Sequence, residues 1–208
     1  TIGSKVLDGI GSTEMLHIFI SNYIDLITPG SSGKPVPGYE VRLMKEDNSE
    51  ADTNEIGELE VKGPTSAISY WNKPEKTKAT FIGDWVKTGD KYTKDANGIY
   101  KYCGRSDDMM KVSGQYVSPF EIEEALQSHK YVLEAAVVGK KDKDELLKPK
   151  AFVVLNDHNN ETNLEKELTE HVKKILTPFK YPRWYEFVTS LPKTATGKIQ
   201  RYKLRIEK

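Results

Sequence analysis

The stretch GRSDDMMKVSGQYVSPFEIE, residues 104–123, separates two parts of the chain that follow different sequence patterns. Opposite charges crowd its first five residues, which is typical of a flexible segment at a domain boundary. Its second half contains a helix start, with Ser118 as the N-terminal cap, Pro119 at the first helical position and Glu121 at the capping-box position. The pattern therefore predicts a boundary near residues 105–108 and a helix soon after it.

Before this stretch, the chain contains short β-prone segments that are separated by Gly, Pro, Asn and Asp. Examples are residues 39–43, 57–63 and 98–102. Frequent turns between such segments predict a small sheet or a distorted barrel.

After the stretch, helical patterns alternate with strand patterns. Residues 135–139, 151–155 and 183–188 are candidates for strands, the first two of them buried. A second capping box, Thr162-x-x-Glu165, predicts another helix between the last two of these strands.

The predicted fold class is therefore α+β. We expect a β-rich distorted-barrel unit over residues 1–106, followed by a hinge and a compact, mobile α+β domain over residues 107–208. The chain begins Thr-Ile-Gly without an initiator Met, which is compatible with a processed, engineered or partial chain.

The composition excludes several classes of function. Lys+Arg and Asp+Glu both number 31, so no net charge favours nucleic acid or an acidic membrane. No apolar run approaches the roughly 18–20 residues of a membrane span, and no signal-peptide pattern opens the chain. The one cysteine, Cys103, excludes an intramolecular disulfide. We therefore expect a cytoplasmic protein with no nucleic-acid or membrane partner.

Two segments could contact a nucleotide, although each also has an ordinary structural explanation. Residues 11–14 (Gly-Ser-Thr-Glu) would let the backbone approach a phosphate, and Glu14 could hold Mg²⁺. The alternative is a turn with a surface glutamate. Residues 88–90 (Thr-Gly-Asp) could offer Asp90 to the hydroxyls of a ribose, or could form a common turn.

Two charged segments leave similar alternatives. Residues 104–108 either contribute to a site or form a solvated linker. Residues 192–198 (Pro-Lys-Thr-Ala-Thr-Gly-Lys) present Lys198 beyond a tight turn, where it could meet a phosphate or carboxylate as a point charge. Otherwise Lys198 is a surface residue of a hairpin.

The order of these segments resembles the adenylate-forming superfamily, which contains acyl-CoA synthetases, peptide-synthetase adenylation domains and luciferases. The resemblance runs through essentially the whole chain. It also includes three further motifs: Gly57-Glu58-Leu59-x-Val61-x-Gly63, Tyr70-Trp71-Asn72 and Val117-Ser118-Pro119-x-Glu121-Ile122-Glu123. The chain is therefore identified as the carboxyl-terminal part of a member of this superfamily, an acid:CoA ligase.

Residues 9–19 and 29–40 are most similar to the benzoate-CoA ligase group. In that group the residues that match Gly11 and His17 line the acyl pocket. For His17 the alternative is a packed histidine at the end of a strand. The implied substrate is benzoate or a related small carboxylic acid, and ligases for medium-chain or other small acids stay open as alternatives.

The resemblance implies two half-reactions that use ATP, Mg²⁺ and coenzyme A. The acid's carboxylate attacks the α-phosphate of MgATP, and the CoA thiolate then displaces AMP from the acyl-adenylate. Lys198 would bridge the carboxylate and the α-phosphate, and Glu14 would hold Mg²⁺. Thr13 would contact the α-phosphate, and Asp90 and Arg105 would bind the ribose. The full set of residues implied to bind ATP or AMP is Gly11, Ser12, Thr13, Asp90 and Arg105.

Between the half-reactions, the family rotates its small domain about a hinge, and Asp107 stands at the matching position. The rotation brings the loop that follows against the nucleotide site. In this loop Lys111, Ser113 and Gly114 are the implied CoA-binding residues. Gly114 would lie beside the pantetheine tunnel, where a missing side chain leaves room.

The chain departs from the family pattern at its amino-terminal side. Only ten residues precede Gly11, and no Ser-Ser-Gly-Thr-Thr-Gly-like phosphate loop occurs. We therefore expect that the 208 residues alone do not form the adenylate at a normal rate. A missing amino-terminal region or a complementing chain would supply the rest. The alternative is a catalytically incompetent fragment that acts as a binding or complementing module. A peptide-synthetase domain is disfavoured because no carrier-domain motif follows Lys198.

Overall fold

The computed structural model describes residues 4–156 and 163–205. These residues fall into two compact units that divide between Asp107 and Asp108. Both units combine sheets with helices, so the α+β prediction is confirmed, and no sheet in the described part closes into a barrel. No helix within the described residues is both long enough and apolar enough to span a bilayer.

The described residues of the first unit form two sheets and one helix. The smaller sheet is antiparallel and consists of β1 (Gly9–Gly11), β2 (Ile18–Ser21) and β3 (Lys34–Pro35), in that order. The larger sheet consists of β4 (Glu40–Met44), β5 (Gly57–Lys62), β6 (Phe81–Ile82), β7 (Trp85–Lys94) and β8 (Tyr100–Arg105). Its strand order is β4-β5-β7-β6, and β8 pairs with β7. The helix α1 (Pro74–Thr80) precedes β6.

The core of the first unit joins these strands to the segment before β2. Leu59 and Val61 alternate along β5 and pack with Phe19 and Met15. Each such side chain contributes about 1.5–3 kcal/mol when it is fully buried. Met15 is completely buried and directly follows Glu14, so the core fixes the backbone next to this predicted site residue.

The second unit contains a hairpin, a three-stranded sheet and its helices. The hairpin pairs β9 (Met110–Val112) with β10 (Gln115–Val117). The sheet consists of β11 (Val132–Lys141), β12 (Leu147–Leu155) and β13 (Trp184–Phe187); β12 is antiparallel to β11 and parallel to β13. The helices are α2 (Pro119–Gln127), α3 (Leu164–Ile175), a 3-10 turn (Pro178–Lys180) and α4 (Arg201–Leu204).

Both faces of the three-stranded sheet are covered. Ala135 and Val137 of β11 belong to the core cluster that also contains residues of α2 and α3. Ala136 and Val138 point to the other face, because side chains alternate along a strand, and they pack with Leu191. The chain segment after β13 is therefore held against the sheet, and this segment carries Lys198.

The helix start at Ser118 is confirmed. The Ser118 hydroxyl accepts a hydrogen bond from the Glu121 backbone N–H at 3.2 Å. The helix predicted after the second capping box is also present as α3, which begins at Leu164 with Asn163 in the cap position. Thr162, the predicted capping residue, lies outside the described residues.

Two histidines lie close together where α2 and α3 meet. His129 is buried, and its Nε2 lies 3.2 Å from Glu167 Oε1. His171 Nε2 lies 2.8 Å from the Ser128 hydroxyl, and the two imidazole rings are 4.9 Å apart. Partial burial lowers the pKa of His171, and the neighbouring His129 and Lys174 lower it further.

We expect this lowered pKa to make the second unit less stable in mild acid. Below the ordinary histidine pKa of 6.5, the unfolded chain binds a proton at His171 more readily than the folded chain does. Stability is therefore present above that pH and is lost as the pH falls toward the pKa of the folded state. In His171→Gln, whose amide can keep the bond to Ser128, the unfolding free energy should fall less over this pH range than in the wild type.

Urea unfolding of both proteins between about pH 8 and pH 5, followed by circular dichroism, measures this difference. The comparison at the alkaline end is the control, because both side chains are neutral there. Identical pH profiles for the wild type and the variant would contradict the prediction.

Candidate active site

The segment at residues 12–14 forms a turn between β1 and β2. The Ser12 hydroxyl accepts a bond from the Met15 N–H at 3.3 Å, and the Leu16 N–H donates to the Thr13 carbonyl at 3.3 Å. Thr13 is exposed, and Glu14 is half-buried. The turn therefore presents the Thr13 hydroxyl and the Glu14 carboxylate next to Met15, which is completely buried.

Tyr70 holds the Glu14 carboxylate. Its hydroxyl donates to Glu14 Oε1 at 2.5 Å, and the Ala67 N–H donates to the Glu14 carbonyl at 2.7 Å. The Lys76 ammonium lies 4.2 Å from the centre of the Tyr70 ring. Partial burial tends to raise the pKa of Glu14, but the hydrogen bonds from Tyr70, its own backbone and Ser12, with the charge of Lys76, outweigh burial and lower it. The carboxylate is therefore ionised at neutral pH.

Gly11 has a structural reason to be glycine. A Cβ at this position would lie 2.6 Å from the carbonyl oxygen of His17, because β1 and β2 approach closely where their register shifts. The ring of His17 is exposed and stacks on Tyr39, with ring centres 6.1 Å apart. His17 therefore lies immediately before β2 and outside the buried core.

Asp90 and Arg105 are neighbours across β7 and β8. Arg105 Nη1 lies 3.2 Å from Asp90 Oδ1 and donates to the Thr88 carbonyl at 3.0 Å. Burial raises the pKa of Asp90, and the Arg105 guanidinium and Thr88 offset part of that rise. Gly89 has φ +75°, and a Cβ there would lie 2.7 Å from the Arg105 guanidinium. The structure thus brings together two predicted site residues that lie in separate motifs of the sequence.

The predicted hinge residue contacts the same guanidinium. Arg105 Nε lies 3.6 Å from Asp107 Oδ1, and the side chain of Asp107 is mostly exposed. Asp107 is the last residue of the first unit, and Asp108 is the first residue of the second.

The predicted CoA-binding segment forms a tight hairpin rather than a long loop. Only Ser113 and Gly114 lie between β9 and β10, and both have positive φ, 51° and 81°. Such a two-residue turn suits the twist of paired strands. Val112 is buried, whereas Lys111 and the turn residues are exposed. The hairpin therefore presents the three predicted residues at its surface.

Lys198 follows a hydrogen-bonded turn. The Thr194 N–H donates to the Lys198 carbonyl at 2.9 Å, and the Thr194 hydroxyl accepts from the Lys198 N–H at 3.1 Å. Gly197 has φ +84°, a conformation that favours glycine. The Lys198 side chain is exposed, so its ammonium is available to an anion.

Among the described residues, no group of three or more His, Cys, Asp or Glu side chains could hold a metal ion. A nucleotide-bound Mg²⁺ does not need such a group, because one or two carboxylates and the phosphates usually complete its coordination. Glu14 is compatible with this kind of site.

Two protein-family models match the chain. Residues 1–71 match the family described as AMP-binding enzyme, and residues 121–198 match the AMP-binding enzyme C-terminal domain. The benzoate--CoA ligase of Thauera aromatica is 60% identical over 98% of the chain and 39% of that relative. The chain belongs to the family of adenylate-forming, AMP-binding enzymes. The 4-hydroxybenzoate--CoA/benzoate--CoA ligase of Rhodopseudomonas palustris is 52% identical over 98% of the chain and 38% of that relative.

Solved structures of AMP-binding enzymes have the same fold. An anthranilate CoA ligase in complex with anthranoyl-AMP is 50% identical, with a TM-score of 0.91 over 97% of this chain and 39% of that one. A benzoate CoA ligase from Burkholderia xenovorans is 53% identical, with a TM-score of 0.89 over 98% of this chain and 41% of that one. The resemblance to benzoate-CoA ligases is therefore confirmed. The chain spans about two fifths of the length of these relatives.

Two predicted site residues of this AMP-binding family member have structural support that the sequence alone does not reveal. Tyr70 was part of a family motif, but nothing in the sequence linked it to Glu14, 56 residues earlier. Arg201 was not singled out at all, although it forms a buried ion pair three residues after Lys198. An arginine at the start of a short helix is a weak signal, so only the folded chain reveals its partner.

Proposed function

We propose that this chain is part of an AMP-forming acid:CoA ligase that activates benzoate or a related small aromatic acid. The observation that carries the proposal is the 60% and 52% identity, over nearly the whole chain, to ligases that act on benzoate. The proposal is also supported by the order of the nucleotide-site motifs along the first unit and by the exposed Lys198 of the second. A cytoplasmic location remains part of the proposal.

In the first half-reaction, an oxygen of the acid's carboxylate attacks the α-phosphorus of ATP, and pyrophosphate leaves. Lys198 would bring its positive charge to the carboxylate and the α-phosphate, while Thr13 would contact the α-phosphate. Asp90, held by Arg105, would orient the ribose. These groups bind and position the reactants, which is most of what such a transfer requires.

Glu14 fits the Mg²⁺ that accompanies ATP in this family. Its carboxylate is ionised, half-buried and held on one oxygen by Tyr70, and hard cations prefer such oxygen ligands. The metal would neutralise charge on the phosphates. Ser12 and Gly11 would shape the backbone beside the nucleotide.

In the second half-reaction, the CoA sulfur attacks the acyl carbon and AMP leaves. We propose that rotation about Asp107 withdraws Lys198 and brings the β9–β10 hairpin to the nucleotide. Lys111 and Ser113 would contact CoA, and Gly114 would leave room for the pantetheine arm. The exposed positions of these three residues support this role.

A second candidate function is a binding or complementing module without activity of its own. The chain spans about two fifths of its relatives, and its sequence contains no Ser-Ser-Gly-Thr-Thr-Gly-like phosphate loop. We propose that these residues alone do not form the adenylate at a normal rate. The ligase activity would require the remaining part, in the same chain or supplied separately.

The test is acid-dependent ATP–pyrophosphate exchange with benzoate and a panel of short and medium-chain acids. The full-length protein should catalyse exchange with benzoate or a close relative, and the 208-residue chain should not. Absence of exchange from the full-length protein with every acid would refute the ligase proposal. Robust exchange by the chain alone would refute the proposal that it is incompetent.

Tyr70→Phe should weaken the use of Mg²⁺. The change removes the hydroxyl that holds Glu14 and leaves the packing of the ring on Phe81. Loss of a group that orients a metal ligand costs about 10–100-fold in metal affinity or activity. We therefore expect the Mg²⁺ concentration for half-maximal exchange to rise roughly 10-fold.

This shift is measured from the exchange rate at increasing Mg²⁺ concentrations, with the total ATP concentration held constant. Tyr23→Phe is the matched control, because its hydroxyl bonds the Pro35 carbonyl and not a proposed site residue. An unchanged Mg²⁺ requirement in Tyr70→Phe would show that Tyr70 does not orient Glu14 for the metal.

A further inference from the structure

The Lys198 turn is followed directly by an ion pair between the partly exposed Arg201 and the buried Glu123. Arg201, the first residue of α4, donates from Nη2 to both carboxylate oxygens of Glu123, at 2.9 and 2.7 Å. Its Nε lies 3.2 Å from the first of these oxygens. The side chain of Glu123 is 5% exposed, and that of Arg201 is 19% exposed. Such paired, charged bonds fix both distance and orientation.

The same arginine reaches the start of the second unit. Arg201 Nη1 lies 3.6 Å from Asp108 Oδ2, and Arg205 binds the other oxygen of that carboxylate. Glu123 also accepts the Val137 N–H of β11 at 2.7 Å. We call Arg201, Glu123, Asp108 and Arg205 the Arg201 network. It ties α4 to α2, to the central sheet and to the residue that follows the proposed hinge.

The other end of the turn has its own side-chain contacts, and the Gln200 N–H also donates to the Pro192 carbonyl at 2.8 Å, which joins the two ends. Lys193 forms an ion pair with Glu134 of β11, and Leu191 is buried against the sheet. Between these anchors, residues 193–198 are all exposed. The position of the turn therefore depends on what holds its two ends.

Apolar packing does not hold the Arg201 end by itself. None of the four residues of α4, all within the described part of the chain, is buried. Ile199 and Leu204 are partly buried and pack against the sheet. A helix this short is not stable without tertiary contacts, so the ion pair sets its position together with this partial packing.

We propose that Arg201 is a positioning residue for Lys198. The inference rests on the proposed function, in which the Lys198 ammonium must meet the reacting carboxylate and phosphate. The Arg201 network holds the backbone from which the flexible lysine side chain extends. Because the network also contains Asp108, any rotation at Asp107 would carry Lys198 with the start of the second unit.

A buried ion pair is weak evidence for stability, since a well-packed apolar pair often serves as well. What an arginine adds is a planar group that can bind two carboxylates at once. Here those carboxylates come from α2 and from the segment beside the hinge. The choice of arginine is therefore explained by placement more than by stability.

The test compares both half-reactions in the full-length protein. Arg201→Gln should lower acid-dependent adenylation about 10–30-fold, because small displacements of a reacting group are costly. Thioester formation from supplied acyl-adenylate and CoA should stay within about 3-fold of wild type, because that step does not use Lys198. Lys203→Gln, an exposed lysine of the same helix, is the matched control and should change neither step. Equal losses in both steps, or normal adenylation, would overturn the proposal.

Hydrogen exchange gives a readout that does not depend on activity. The amides of Thr194, Gly197 and Lys198 should exchange roughly 10-fold faster in Arg201→Gln and at the wild-type rate in Lys203→Gln. Unchanged exchange would overturn the inference. If the wild-type protein forms no adenylate, the proposed function fails on that result, and the exchange rates still decide whether Arg201 holds the turn.

A double variant separates placement from the burial of charge. Arg201→Gln can misfold because it leaves Glu123 buried without its partner. The double variant Glu123→Gln with Arg201→Gln removes the charge of Glu123, so the protein should fold. The two glutamines can bond to each other, but they cannot also replace the contact between Arg201 and Asp108. Fast exchange in the turn and impaired adenylation should therefore persist. Wild-type adenylation in the double variant would show that Arg201 acts only through charge burial and would overturn the proposal.

Discussion

Replacing Lys198 with alanine is expected to lower acid-dependent adenylation by roughly 10²–10³-fold in the full-length protein. The exposed ammonium at the end of the 192–198 turn is the group proposed to stabilise charge between the carboxylate and the α-phosphate. Thioester formation from supplied acyl-adenylate should be retained, because the proposed rotation removes Lys198 before that step. ATP–pyrophosphate exchange and CoA thioester formation measure the two steps separately.

Lys203→Ala is the control, since it removes an exposed lysine five residues away. It should leave both half-reactions unchanged. If Lys198→Ala lost both steps equally, the role assigned to Lys198 would be wrong. Acylation of the Lys198 amine should reproduce the loss of adenylation, because it removes the same charge.

Gly114→Leu should produce the opposite pattern, with thioester formation about 100-fold slower and adenylation largely retained. Gly114 lies at the tip of the β9–β10 hairpin with φ +81°, and a Cβ there would meet no other atom within 4 Å. The substitution therefore costs some backbone strain but causes no clash within the hairpin. Its main effect would arise where the proposed pantetheine path needs the space.

The strain can be separated from the steric effect with a matched glycine. Gly98 also has positive φ, +72°, and open space at Cβ, but it lies in a turn of the first unit that has no proposed role. Gly98→Leu should change stability by a similar amount and leave both half-reactions intact. Loss of adenylation in Gly114→Leu would contradict the assignment of this hairpin to the CoA step.

Local chemistry explains why several elements could be predicted. The Ser118 cap, with Pro119 and Glu121, predicts the start of α2 because all of its partners lie within four residues. The continuous apolar run at residues 135–139 predicts a buried strand, and β11 contains this segment. The run did not show which segments cover the two faces of β11, since these segments come from distant parts of the chain.

Only part of the candidate site could be predicted from the sequence. Glu14, Asp90 and Lys198 could be proposed as site residues because each lies in a short motif, and the motifs follow a recognisable order. Their surroundings were not found. The predicted CoA loop, for example, is a tight hairpin in which Ser113 has a positive φ. A positive φ is uncommon for serine, so the residue type did not predict this conformation.

The amino-acid sequence by itself determined the α+β class, the start of α2, the resemblance to the family and the residue types that could meet a nucleotide. Capping and apolar strand patterns depend on neighbours a few residues apart, so they can be recognised without a structure. Only the tertiary structure decided that Tyr70 holds Glu14 across 56 residues and that Arg201 binds Glu123 across 78. Pairing of such distant groups depends on the path of the whole chain, because the core must first bring their backbones together.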